Sequence, residues 1–251
     1  MARIQFTNVN LEYPVRDHRA GTLKEFILRG LFLGGPRPAE TVHALNDLSF
    51  EAREGERIAL IGLNGAGKTT LLKTIAGVYP IKSGQRIVQG TIGSLFDINV
   101  GFEPDATGWQ NIRYRLYLQG ETPASVKEVI DEIGAFTELG RFLDLPIRCY
   151  SAGMVMRLAF AVATARCPEI LLIDEVFGTG DLVFQKKAQQ RMIHFLTRAR
   201  IVIIAGQHLD FLQALCTSAL WLQRGAVRAF GSAQPVIDAF KEDIGHLVAA
   251  A

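Results

Sequence analysis

The octapeptide Gly62-Leu-Asn-Gly-Ala-Gly-Lys68-Thr69 has three glycines leading into a lysine and a hydroxyl, the pattern GxxxxGK[ST]. Gly62, Gly65 and Gly67 let the backbone wrap closely around an anion with its N–H groups inward. The helix expected over Thr69 to Ala76 points its positive end at the same anion. Lys68 is placed to reach the outer phosphate oxygens, and the Thr69 hydroxyl to ligate Mg²⁺. Asn64, Ala66 and Thr70 complete the cradle. A chance match somewhere in a chain of this length has a probability on the order of one per cent. The ligand implied is a nucleoside triphosphate; the competing reading is a structural glycine turn.

Two further groups of residues carry chemistry. Ile170-Leu-Leu-Ile-Asp174-Glu175 sets two carboxylates at the carboxyl end of a buried strand, where ligands of open α/β sheets sit. Asp174 fits a Mg²⁺ partner, and Glu175 fits a base that polarises an attacking water. An acidic pair in that place can also simply cap a sheet end. Tyr150-Ser151-Ala152-Gly153-Met154 opens a helix that runs to Ala165. Ser151 is its N-cap, and its hydroxyl with the exposed N–H groups around Gly153, beside Met154, forms a second anion cradle. Two phosphate-recognising helix starts in one chain need not grip one nucleotide.

These groups need a scaffold, and the patterning predicts one. Ile4, Phe6, Val9, Leu11 and Tyr13 alternate with polar neighbours, with one slip in phase, and read as edge-strand material. Residues 22 to 33 have a helical period, opened by the capping box Thr22-x-x-Glu25 and stopped by Gly34-Gly35-Pro36. Ala44 to Phe50 and Arg57 to Ile61 are strands around the turn Arg53-Glu54-Gly55-Glu56. Strand, glycine loop and helix then begin a parallel α/β sheet. From about Glu103 to Arg148 the character changes, and the Glu121 to Leu145 portion has helical spacing with no strand run, which reads as a mostly helical insertion. Ile170 to Ile173 and Ile201 to Ile204 are continuous apolar runs of the fully buried kind, separated by a polar helix over about Phe184 to Ala199. The tail after Ile237 is too short for another domain.

Composition excludes several classes. With 49% hydrophobic and 21% charged residues, the chain is neither disordered nor fibrous. Lys plus Arg number 27 and Asp plus Glu 25, a net charge of +2, which argues against a protein built to coat nucleic acid. Cys149, Cys167 and Cys216 form neither a disulfide framework nor a zinc site, and a reducing, cytoplasmic setting suits them. The start lacks a signal-peptide core, and no apolar stretch approaches the ~18 residues of a spanning helix, so the chain alone is not expected to cross a bilayer.

The phosphate loop, the Ser151 helix start and Asp174-Glu175, in that order, resemble an ABC-transporter ATPase over about residues 3 to 235. The fold this implies is an α/β P-loop NTPase with an antiparallel β subdomain and an inserted helical subdomain. The nucleotide-binding domain would fill residues 1–240, with the insertion at about 103–165 and a short tail at 241–251. The nucleotide implied is ATP with Mg²⁺. The resemblance makes Asp181 the dimer-contacting residue of Gly178-Thr-Gly-Asp181, His208 the switch that touches the γ-phosphate, and Tyr13 the aromatic that stacks on adenine. The usual Gln near the metal is Asp97, an acid that can hold a metal-bound water but adds negative charge. Ala152, Met154 and Gln207 also depart from the general pattern.

Within the superfamily, the sequence is similar to the ATPase subunits of bacterial polysaccharide exporters: the Wzt-type O-antigen, capsule and teichoic-acid systems. The residues carrying this are Gly21-Thr-Leu-Lys-Glu25, Phe96-Asp97-Ile-Asn-Val-Gly-Phe102 with Thr107-Gly108, Tyr150 to Met154 with Arg157-Leu-Ala-Phe160, and Asp174-Glu-Val-x-x-x-Gly-Asp181-x-x-Phe184-Gln-Lys-Lys187. The resemblance implies a head-to-tail homodimer across two ATP, a polytopic permease partner, lipid-linked polysaccharide as cargo, no nucleic acid, and a peripheral place on the cytoplasmic face of the inner membrane. With eleven residues after position 240, no C-terminal carbohydrate-binding domain is expected. The helix at 22–33 either gates entry of the lipid head group or only packs on the sheet. The alternatives from other classes are a non-transport ABC ATPase acting on nucleic acid or the ribosome, and a small-molecule kinase.

Overall fold

The computed structural model describes residues 1–15, 40–96, 98, 100–174 and 182–249. Strands β1 (Arg3–Val15), β2 (Glu40–Arg53) and β4 (Ser83–Gln89) form an antiparallel sheet in the order β2-β1-β4. Strands β3 (Arg57–Ile61), β5 (Ile92–Leu95), β6 (Ile170–Asp174), β7 (Ile201–Ala205), β8 (Ser218–Gln223) and β9 (Ala226–Ser232) form a second sheet in the order β5-β6-β7-β3-β8-β9. Its neighbours run parallel except for β9, which returns antiparallel along β8.

The continuous apolar runs are explained by burial on both faces of this second sheet. Ile58, Leu60, Ile170, Leu172, Ile201 and Ile203 point toward the antiparallel sheet, into a core shared with Ile4, Phe6, Leu45 and Leu48. Ala59, Ile61, Leu171, Ile173, Val202 and Ile204 point the other way, into the core of the helical insertion. Successive strand residues face opposite sides, so one sequence run fills two cores.

The insertion comprises α2 (Gly108–Leu118), α3 (Pro123–Thr137), two short 3₁₀ turns (Gly140–Asp144 and Ile147–Cys149) and α4 (Ala152–Ala163). Thr107 with Gln110 and Thr122 with Ser125 close capping boxes, and Pro123 takes the first turn of α3, where its missing N–H costs nothing. The core helices are α1 (Lys68–Ile75), α5 (Leu182–Arg198), α6 (Leu209–Leu215) and α7 (Ala233–Ala249).

Three sequence expectations need comment. β1 is the centre of its sheet and not an edge, because alternation reveals a buried face but not whether both hydrogen-bonding edges are paired. Its slip in phase is real: pairing with β2 shifts register between Phe6 and Val9, and Asn8 has φ 49°. Helix α7 runs through the boundary drawn at residue 240, since Phe240 is buried against Trp221 with ring centroids 5.3 Å apart. The helix expected at 22–33 lies outside the described residues.

Close backbone approach fixes the glycine loop where β3 ends. Gly62 has φ 151°, and a Cβ there would stand 2.4 Å from the Leu222 carbonyl oxygen of β8. Gly67 has φ 105°, and its Cβ would meet the Ala44 carbonyl at 2.9 Å. Replacing Gly62 with Ala must therefore displace β8 as well as the loop. Chemical denaturation of Gly62→Ala should show a loss of about 1–3 kcal/mol; unchanged stability would contradict this packing.

Candidate nucleotide site

The loop from Gly62 to Gly67 is held by its own backbone. The Ala66 N–H donates to Leu63 O at 3.1 Å, and the Gly225 N–H donates to Ala66 O at 2.9 Å, tying the loop to the β8–β9 turn. Gly67 ends it in the left-handed region as the N-cap of α1 and makes no side-chain cap, so the first N–H groups of α1 are not capped by a side chain. That is the arrangement in which a helix start attracts phosphate. Lys68 Nζ donates to Gly62 O at 2.7 Å and Leu63 O at 3.1 Å, and so lies folded along the loop.

Strand order brings the acid to the loop. β6 lies two strands from β3, across β7, and its last residue, Asp174, ends level with the start of α1. The Thr69 hydroxyl donates to Asp174 Oδ2 at 2.6 Å. A hydroxyl and a carboxylate are the hard oxygen donors that Mg²⁺ accepts, so this pair fits the ion.

Loop and acid open into a cavity of about 850 Å³ lined by residues 64–70 and Asp174, by Tyr13, Val42, His43 and Ala44, and by Leu95, Phe96, Ile98 and Met156. Tyr13 packs edge-on against Tyr79, centroids 5.3 Å apart at 80°. Burial raises the Tyr13 phenol above its ordinary range. The ring is thus both a packing element and a wall of the cavity.

His43 escaped the sequence reading. It faces Glu12 in the β1–β2 register, its Nδ1 3.2 Å from Glu12 Oε1, while Lys82 Nζ lies 2.5 Å from Glu12 Oε2. The Lys82 ammonium holds the Glu12 carboxyl below the usual range. A lone His on an unassigned strand edge gives no signal until its strand partner is known.

Ser151, Gly153 and Met154 do not line this cavity. Ser151 is the N-cap of α4, accepting from the Met154 N–H at 3.3 Å, and it is exposed with Ala152 and Gly153. His208 is exposed at the start of α6 and is also not among the lining residues. Asp97, Glu175 and Asp181 lie outside the described residues. Within one chain, then, Tyr13, Lys68, Thr69 and Asp174 come together, and the Ser151 cradle stands apart.

Residues 45–178 match the family described as ABC transporter. The chain is 44% identical over 231 residues to the O-antigen export system ATP-binding protein RfbE of Yersinia enterocolitica, covering 90% of this chain and 97% of that one. It is 32% identical over 240 residues to the teichoic acids export ATP-binding protein TagH of Listeria monocytogenes, covering 96% of this chain and 70% of that one. A dimeric ATP-binding cassette solved in a post-hydrolysis state with ADP and Pi has the same fold, with a TM-score of 0.66 at 19% identity, covering 92% of this chain and 98% of that chain. On the glycine loop, the Thr69–Asp174 pair and these likenesses, the chain belongs to the ABC transporter family.

Proposed function

We propose that this chain is the ATP-binding and hydrolysing subunit of an exporter that moves lipid-linked polysaccharide across the inner membrane. The observation that carries the reading is the meeting of the glycine loop, Lys68 and the Thr69–Asp174 pair in one cavity that Tyr13 also lines. A triphosphate laid along the loop takes the N–H groups at the start of α1, and Lys68 leaves the Gly62 and Leu63 carbonyls for the outer phosphates. When bound, Mg²⁺ neutralises phosphate charge, and Thr69 and Asp174 would hold it. Tyr13 stacks on the base. Glu175, directly after Asp174, orients the attacking water, and His208 reaches the γ-phosphate.

The exposed Ser151 helix start supports a head-to-tail homodimer, each chain completing the ATP held by its partner. The cassette of like fold bound to ADP and Pi is itself a dimer. No helix of the described residues is long and apolar enough to cross a membrane. A separate polytopic permease as partner is supported by the relatives, which are named as ATP-binding proteins of export systems. The chain works peripherally on the cytoplasmic face. The cargo is supported by the names of the relatives, which specify export of O-antigen and of teichoic acids.

Two substitutions test the assignment. Glu175→Gln should keep ATP binding and lower phosphate release by about 10²- to 10⁴-fold; brisk steady-state hydrolysis would remove Glu175 from its role. Lys68→Met deletes charge-assisted hydrogen bonds worth about 1.5–3 kcal/mol each, so equilibrium titration should show ATP affinity falling by about 10- to 150-fold. Unchanged affinity would contradict the placement of Lys68.

A further inference from the structure

Three consecutive residues of β2, Val42, His43 and Ala44, line the cavity, although successive residues of a regular strand face opposite sides. The register explains it. Leu11 pairs with Leu45 and Glu12 with His43, so Ala44 is an extra residue that bulges β2 and breaks the alternation. The bulge is seated against the phosphate loop and the β8–β9 turn: the Ala44 carbonyl oxygen is what a Cβ on Gly67 would meet at 2.9 Å and a Cβ on Gly225 at 2.6 Å. At the other end of the triplet, Val42 is the strand partner of Tyr13. At about 3.3 Å per residue, this stretch of β2 leads from the start of α1 to Tyr13, and His43 is the residue between.

His43 has the one polar side chain of the three, and that side chain is held. Its Nδ1 lies 3.2 Å from Glu12 Oε1, while Lys82 Nζ lies 2.5 Å from Glu12 Oε2. The Glu12 side chain is 15% exposed and that of His43 59%, so the carboxylate is the fixed partner and the ring is open to a ligand. The Lys82 ammonium keeps the Glu12 carboxyl below its ordinary range, and hence ionised. An anion beside Nδ1 favours the tautomer with its proton there, which leaves Nε2 as an acceptor. Neither phosphate nor base requires this ring, since Lys68, Thr69 and Asp174 serve the phosphates and their metal and Tyr13 the base. The part of a nucleotide between base and phosphates is the ribose, whose hydroxyls both donate and accept.

Resting on the ATP-binding reading above, we propose that His43, aligned by Glu12, is a specificity-determining residue that bonds a ribose hydroxyl of the bound nucleotide, so that the site prefers ATP to its deoxy counterparts. Glu12 acts through the ring and is a positioning residue. Removing the ring leaves the phosphate loop and Tyr13 in place, so binding persists while discrimination at the sugar is lost.

The test is calorimetric titration of the full chain, with Mg²⁺ present, by ATP, 2′-deoxy-ATP and 3′-deoxy-ATP, for wild type, His43→Ala and Glu12→Gln. Wild type is expected to bind ATP about 2- to 10-fold more tightly than at least one deoxy analogue, the worth of one hydrogen bond. His43→Ala should bind all three alike, at the affinity wild type shows for that analogue, and Glu12→Gln should show a smaller preference than wild type. Equal affinity of wild type for the three nucleotides, or a preference that survives in His43→Ala, would overturn the proposal. So would His43→Ala weakening all three by the same factor, which marks a contact with base or phosphate or a packing role. An undiminished preference in Glu12→Gln would overturn the alignment by Glu12. A wild-type chain that binds no nucleotide at all would instead defeat the ATP-binding reading, and the proposal with it.

Discussion

The hydrogen bond from the Thr69 hydroxyl to Asp174, 2.6 Å long, joins residues 105 positions apart and can form only if β3, β7 and β6 lie side by side and end level. Each layer serves that alignment. The strands are apolar on both faces, so they sit in the middle of the molecule, and their carboxyl ends open where the Gly62 loop turns. The loop in turn has the one side-chain-free residue that can pass the Leu222 carbonyl. A carboxylate thus meets a hydroxyl and a helix start that lie 105 positions away in the chain.

The arrangement keeps the Ser151 helix start away from the cavity into which α1 opens. α1 opens into the cavity, whereas α4 opens on an exposed surface of the insertion. The separation suits a protein whose working site is completed from outside.

What could be read from sequence was what is local. Lys68 and Thr69 are contiguous with their glycines, Asp174 ends an apolar run, and Ser151 caps its own helix, so each carried its signal within a few residues. β1 was misjudged as an edge strand because its partners β2 and β4 lie far away in sequence. His43 and Val42 were missed for the same reason: they line the cavity only through the register that sets them beside Glu12 and Tyr13.

The central claim is that the cavity grips phosphate first and base second. Its most direct measurement is a calorimetric titration of the wild-type chain, with Mg²⁺ present, by ATP, ADP and AMP in turn. The account predicts that ATP and ADP bind while AMP, which retains the base, the ribose and one phosphate, loses nearly all affinity. AMP binding as tightly as ATP would contradict it, since the glycine loop, Lys68 and the Thr69–Asp174 pair would then contribute nothing to recognition.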